Sequence, residues 1–319
     1  MNFFKKFTLI ATLYSSMAIA STPATTTILV GFPPGGGNYI VANIIATAAE
    51  KAGYPTVLDI KPGAGGIIGM NSCASRVADK NLLCIASQAQ YVHGSFLSPE
   101  IVKYNPEKLT YVKMIGYSPS VLVTRSSNQK PFAELIDDMK KNKPVKFGSA
   151  AVGYSILTHW LFSNTPTSNG IVADYKGAGP MIIDILGGTV DYGFVPYTVV
   201  KSQVDSGTLR IVATWPDKNV PTLSKYPNIQ QYVKEMEPDT GLLGFVLGEG
   251  ADPEQVKRYN TLLTTLMQDP AVRTQLEASG FFMSDPKLGP SDFESVAKSE
   301  RSRLSKQYTP AVKALYNIK

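Results

Sequence analysis

A chain of 319 residues with 44% hydrophobic and 18% charged residues has the make-up of one large or two medium globular domains, which excludes a disordered chain. The net charge of +6 comes from 31 Lys and Arg against 25 Asp and Glu, scattered rather than gathered into a stripe, so nucleic acid is not an expected partner. His93, His159, Cys73 and Cys84 form no cluster with ligand spacing, and neither a metal nor another cofactor is expected.

The first segment reads as an export signal. Lys5 and Lys6 precede the apolar run FTLIATLYSSMAIA, which closes on the small-x-small triplet Ala18-Ile19-Ala20. Residues 1–20 are therefore expected to be removed; the run is too short for an anchor, and no cysteine follows the cut to take a lipid. A soluble exported protein meets an oxidising compartment. Cys73, on a predicted helix, and Cys84, on the next strand, are then either bridged or two small buried hydrophobes.

Strands and helices alternate from there. TTILVGF reads as a strand, and Val41, Ile44, Ile45, Ala48 and Ala52 recur at helical spacing until Gly53 stops them. TVLDIK is a strand, GIIGMNSCASRVA a helix and LLCIAS a strand, the β-α-β-α-β order of a mostly parallel sheet. A second series follows the extended SVLVTRS: FAELIDDMKK, YSILTHWLF and PMIIDILGG are helical, and VKFGS, GIVADYK, VDYGFV and TLRIVATW are strands. Two α/β lobes result. The C-terminal part is helical, with Asp252-Pro253 and Asp269-Pro270 as N-cap and first helical residue and Ser291–Glu294 as a capping box.

Three Gly-rich loops fail tests for reactive chemistry. In GAGGIIG from Gly63, the third glycine of a dinucleotide fingerprint falls on Ile68. No phosphate-binding G-x-x-x-x-G-K-[ST] occurs. Around Ser155, GYSIL has Leu157 where a nucleophile elbow needs glycine, and His159 lies one turn along the same helix. A hydrolase built on Ser155 and His159 is thus the minor alternative. Each loop instead lies between a strand and a helix, where unpaired N–H donors and the positive end of a helix dipole suit a small carboxylate.

The succession ILVGFPPGGG, KPGAGGIIG, FGSAAVGYS, DYKGAGPMIIDILGGTVDYGF, SGTLRIVAT and DPAVRTQLEASGF resembles the extracytoplasmic solute receptors of tripartite tricarboxylate transporters, the Bug or TctC family, over the whole mature chain. The resemblance implies an α/β, two-lobed periplasmic binding protein of type II, a Venus flytrap with a mostly parallel sheet in each lobe. Residues 21–124 and 241–319 are expected in one lobe and 125–240 in the other. It further implies no catalysis, a monomer, integral membrane transporter subunits as partners, and capture in the periplasm of a small organic acid, whether di- or tricarboxylate, amino acid or aromatic carboxylate. A periplasmic sensor feeding a membrane signalling partner is the other reading of the same fold.

On that pattern Gly35, Gly36 and Gly37 of one lobe and the loop from Ser149 through Gly153, Tyr154 and Ser155 of the other grip the carboxylate. Where the family commonly has Asp and Arg after the first turn, this chain has Tyr39 and Asn43, and His159 is out of register with the family's histidine. Tyr39 and Tyr154 would place two rings near the cleft, in keeping with a flat or partly apolar acid. Asn38 is either a helix cap or a contact, and Ala64 and Gly65 serve either packing or the ligand. Ser87, Gln88, Lys176, Gly177, Gly179, Val195 and Tyr197 complete the expected rim. Both histidines are expected to be ordinary hydrogen-bonded side chains.

Overall fold

The computed structural model describes residues 24–150, 152–165, 167–175, 177–215, 220–234 and 236–308, apart from the side chains of residues 152, 153 and 155. The expected signal segment, residues 1–20, and Lys176 lie outside the described residues.

Strand β1 (Thr26–Val30), helix α1 (Gly37–Lys51), β2 (Thr56–Ile60), α2 (Ile67–Ser75) and β3 (Leu82–Ser87) set β1 parallel to both β2 and β3. Helix α1 buries Val41, Ala42, Ile45, Ala46 and Ala49 along one face, and Gly53 at φ +86° turns the chain out of it. The disulfide Cys73–Cys84 ties α2 to β3. A π-helical turn, Ala89–His93, and the short α3 (Gly94–Leu97) lead to β4 (Thr110–Tyr117).

The second sheet comprises β5 (Ser120–Arg125), β6 (Val145–Ser149), β7 (Gly170–Asp174), β8 (Tyr192–Pro196) and β9 (Leu209–Thr214), in the order β7-β6-β8-β5-β9. Helices α4 (Phe132–Lys140), α5 (Val152–Asn164), α6 (Ala178–Gly187) and α7 (Tyr197–Asp205) connect them. The chain then returns: β10 (Leu242–Leu247) inserts between β3 and β4, and β11 (Phe282–Met283) closes the order β11-β4-β10-β3-β1-β2. Both sheets are mixed: four of six strands in the first and four of five in the second run the same way, and β5 and β10, the strands that enter from the other lobe, run antiparallel to their neighbours. Strand β5 spans the division expected at 124/125. An apolar run such as VLVT does not declare which sheet it joins, and β5 is central to the second one.

Helices α8 (Pro253–Gln268), α9 (Pro270–Ala278) and α10 (Pro290–Ser305) supply Tyr259, Leu263, Leu276 and Phe293 to the cores around the first sheet. Asp252 and Asp269 accept the N–H groups of Glu254 and Ala271 at 3.0 and 2.7 Å, so both are caps followed by proline. Helix α10 is capped two residues earlier than the sequence suggested, and by a single bond rather than a box: the Asp292 carboxylate accepts the Gly289 N–H at 2.7 Å, with Pro290 opening the helix.

The two crossings between lobes are hydrogen-bonded to each other. Ser118 N–H donates to the Gly241 carbonyl at 3.0 Å and Ser120 N–H to the Asp239 carbonyl at 3.2 Å. Gly241 has φ +60°, and a Cβ there would stand 1.8 Å from the Ser118 oxygen, so only glycine fits.

Candidate ligand-binding cleft

Loops at the carboxyl ends of β1, β3, β6, β7 and β8 face one another between the lobes and enclose a cavity of about 790 Å³. One wall is the turn after β1. Gly35 takes φ +86°, Gly36 occupies the cap position of α1 in extended conformation, and the N–H groups of Gly37 and Asn38 open the helix. No acidic side chain lies in that first turn, so its free donors and dipole face the cavity unopposed. Asn38 is not the cap. Its side chain is only 9% exposed, lines the cavity, and its Nδ2 has no partner among the described residues. A buried amide donor left unpaired costs about 1–3 kcal/mol, which a ligand oxygen would recover.

The facing wall is α6, capped at Gly177 with φ +136°; a Cβ on Gly179 would meet nothing within 4 Å. Further along, Ile182, Ile183 and Leu186 give this wall an apolar surface, with Ile183 still 68% exposed at the mouth. The walls approach closely. A methyl added to Gly37 would stand 2.9 Å from Thr198 Oγ1, and one on Gly177 would be 3.9 Å from Pro33 Cγ.

The floor lies at the paired crossings. The Gln88 side chain accepts the Gly241 N–H at 3.0 Å and donates to Thr240 Oγ1 and to the Glu300 carboxylate. Asp239, 5% exposed, accepts the Ser120 hydroxyl at 2.9 Å and the Gly241 N–H at 3.0 Å, and burial pushes its carboxyl above the ordinary range. His93, 3% exposed, pairs Nδ1 with the Tyr308 hydroxyl at 2.6 Å and packs edge-on to Trp160 of α5. Its Nε2 has no partner among the described residues, and burial with the nearby Arg303 lowers its pKa to about 4, leaving it neutral. No Lys or Arg side chain among the described residues lines the cavity.

Of the residues singled out from the sequence, Gly35, Gly36, Gly37, Asn38, Ser87, Gln88, Tyr154, Gly177 and Gly179 line this cavity. Others do not. Tyr39 lies one position round α1 from Asn38 and packs on the core of the first lobe. Ala64 and Gly65 form a tight turn whose Gly65 carbonyl accepts from Gln90 Nε2 at 3.0 Å, away from the cavity. Ser149 is buried at the end of β6, and Gly153 and Ser155 belong to α5 without described side chains. Val195 points into the core of the second lobe, and the Tyr197 ring stacks on Phe282. At that junction the strand's alternation presents Pro196 and then Thr198 to the cavity instead. His159, the suggested partner of Ser155, is also outside the cavity lining. The sequence reading passed over Asp239, Thr198 and the α6 face entirely and gave His93 no place in the site; the Asp-Thr-Gly turn was the one local signal available for Asp239.

Comparison with known proteins places this geometry. The model of the tripartite tricarboxylate transporter family receptor matches residues 40–291. Protein BugT of Bordetella pertussis is 29% identical over 258 residues, covering 79% of each chain. Among solved structures, Rpa4515 of R. palustris with adipate superposes with a TM-score of 0.79 at 23% identity, over 92% of this chain and 98% of that one. MatC from Rhodopseudomonas palustris with bound malate gives 0.78 at 20% identity, over 90% and 100%. At these identities the structures attest a shared fold.

Proposed function

The chain belongs to the receptor family of the tripartite tricarboxylate transporters, and from that premise we propose that it captures a small organic carboxylate in the periplasm and presents it, as a monomer, to integral membrane transporter subunits. The carboxylate sits where the N-termini of α1 and α6 meet. Gly37, Asn38, Gly177 and Gly179 hold it through main-chain donors and the Asn38 amide. The lobes, one built from residues 24–117 and 241–308 and the other from the described residues of 120–240, turn about the paired crossings to shut on it. A ligand that touches both walls stabilises the shut form by its differential affinity for that form, and no bond is made or broken.

The observation that carries this reading is the unpartnered, buried Asn38 Nδ2 beside two open helix N-termini on one cavity. A thermal-shift screen against mono-, di- and tricarboxylates, amino acids and aromatic acids tests it. At least one acid should raise the melting temperature with dose, and Asn38→Leu should abolish that rise while leaving the ligand-free protein folded. A panel with no stabilising acid, or a ligand whose effect Asn38→Leu leaves intact, would refute the proposal.

A further inference from the structure

The rim and the floor of the cleft have opposite polarity. At the rim, two helix N-termini offer main-chain donors, and Asn38 Nδ2 is a further donor with no partner among the described residues. At the floor, the single charged side chain among the described lining residues is an acid, Asp239. Its two oxygens hold one donor each, the Ser120 hydroxyl and the Gly241 N–H, so each keeps an accepting position free. The cation whose field reaches it, Arg303, is already bound to Glu237 and Glu300 and to the Pro238 carbonyl. The His93 imidazole on the same floor is uncharged near neutral pH. A second carboxylate delivered to this floor would meet Asp239 and, among the described residues, no free cation.

Resting on the receptor reading, we propose that the solute is amphoteric: its carboxylate lies against the N-termini of α1 and α6, and a donor group, an ammonium or a hydroxyl, lies against Asp239. Buried acids are retained where a donor or cation completes them, and here the solute completes this one. The apolar face of Ile182, Ile183 and Leu186 covers a hydrocarbon body between the two polar ends. Acids with a carboxylate at each end are discriminated against by repulsion at the floor rather than by any loss at the rim.

Isothermal titration of the full mature protein with matched probes decides the matter. The amphoteric set is 4-aminobutanoate and 6-aminohexanoate, with 6-hydroxyhexanoate as the hydroxyl counterpart; succinate, adipate and hexanoate are their comparators. At least one amphoteric probe should bind about tenfold or more tightly than the comparator of its length. Asp239→Asn should remove that advantage and strengthen adipate binding. The wild-type ranking stands by itself if the variant folds poorly, which its ligand-free melting curve shows. Adipate or succinate binding as tightly as every amphoteric probe would overturn the inference, as would an Asp239→Asn protein that folds and keeps the wild-type ranking; both results leave the receptor reading in place. Binding of none of the probes, comparators included, would count against the receptor reading and take this inference with it.

Discussion

Gly37→Ala separates the closing of the lobes from the folding of either one. Gly37 opens α1 with no positive φ, so alanine costs the free protein nothing and adds up to about 1 kcal/mol through lost chain entropy. In the observed arrangement, however, the new methyl lands 2.9 Å from Thr198 Oγ1, several tenths of an ångström too near. That hydroxyl is held 2.9 Å from Ser118 Oγ in the hinge, so it yields only by giving up the hydrogen bond or by letting the walls part. Either route costs about 1–2 kcal/mol of the shut state, or about five- to thirtyfold in Kd. Calorimetry with the strongest acid from the thermal-shift panel should show weaker binding, while the ligand-free melting temperature holds or rises. The penalty should vanish in a Thr198→Ala background, where the atom it meets is gone. Wild-type affinity for Gly37→Ala, or a penalty that persists with Thr198→Ala, would refute the reasoning.

Two further outcomes follow from the hinge and the floor. Gly241→Ala should lower unfolding free energy by about 3 kcal/mol or more in urea titration, since a left-handed backbone and a main-chain overlap at 1.8 Å coincide there; a loss under about 1 kcal/mol would contradict it. His93 ties stability to acidity. Its folded pKa of about 4 lies below the 6.5 of an unperturbed imidazole, so the unfolded chain takes up the proton first. The stabilisation is complete above pH 6.5 and fades as pH falls towards 4, by about 3 kcal/mol in all. His93→Gln should flatten that part of the curve, and wild-type and variant curves that stay parallel from pH 7 to 4 would exclude it.

The alternating elements were legible because their periods are strong: α1 and the strands around it show apolar residues at the spacing their burial requires. Strand β4 was not, since TYVKMIGY carries Lys113 in its middle. The structure buries that lysine and satisfies its ammonium with Thr264 Oγ1, Pro286 O and Leu288 O at 2.6–2.7 Å, partners brought together only by tertiary packing. Strand β10 is buried on both faces and so shows no alternation. In the cleft, the glycine turns were visible in sequence because a positive φ demands a residue type. Asp239, Thr198 and His93 were not, because an acid, a hydroxyl and an imidazole acquire a role only through what the fold sets opposite them. Val195 and Tyr197 illustrate the narrowest margin, a strand read one residue out of phase.

The paired crossings limit what the molecule can do mechanically. Two peptide segments joined rung to rung by Ser118–Gly241 and Ser120–Asp239 form a ribbon that flexes readily across its flat face but resists shear and torsion. In the closure proposed above, the halves travel along one arc and meet in the same alignment on every stroke. Asp239 is itself one of the rungs, so whatever presses on its side chain presses on the axle and need not pull from the tips of the jaws.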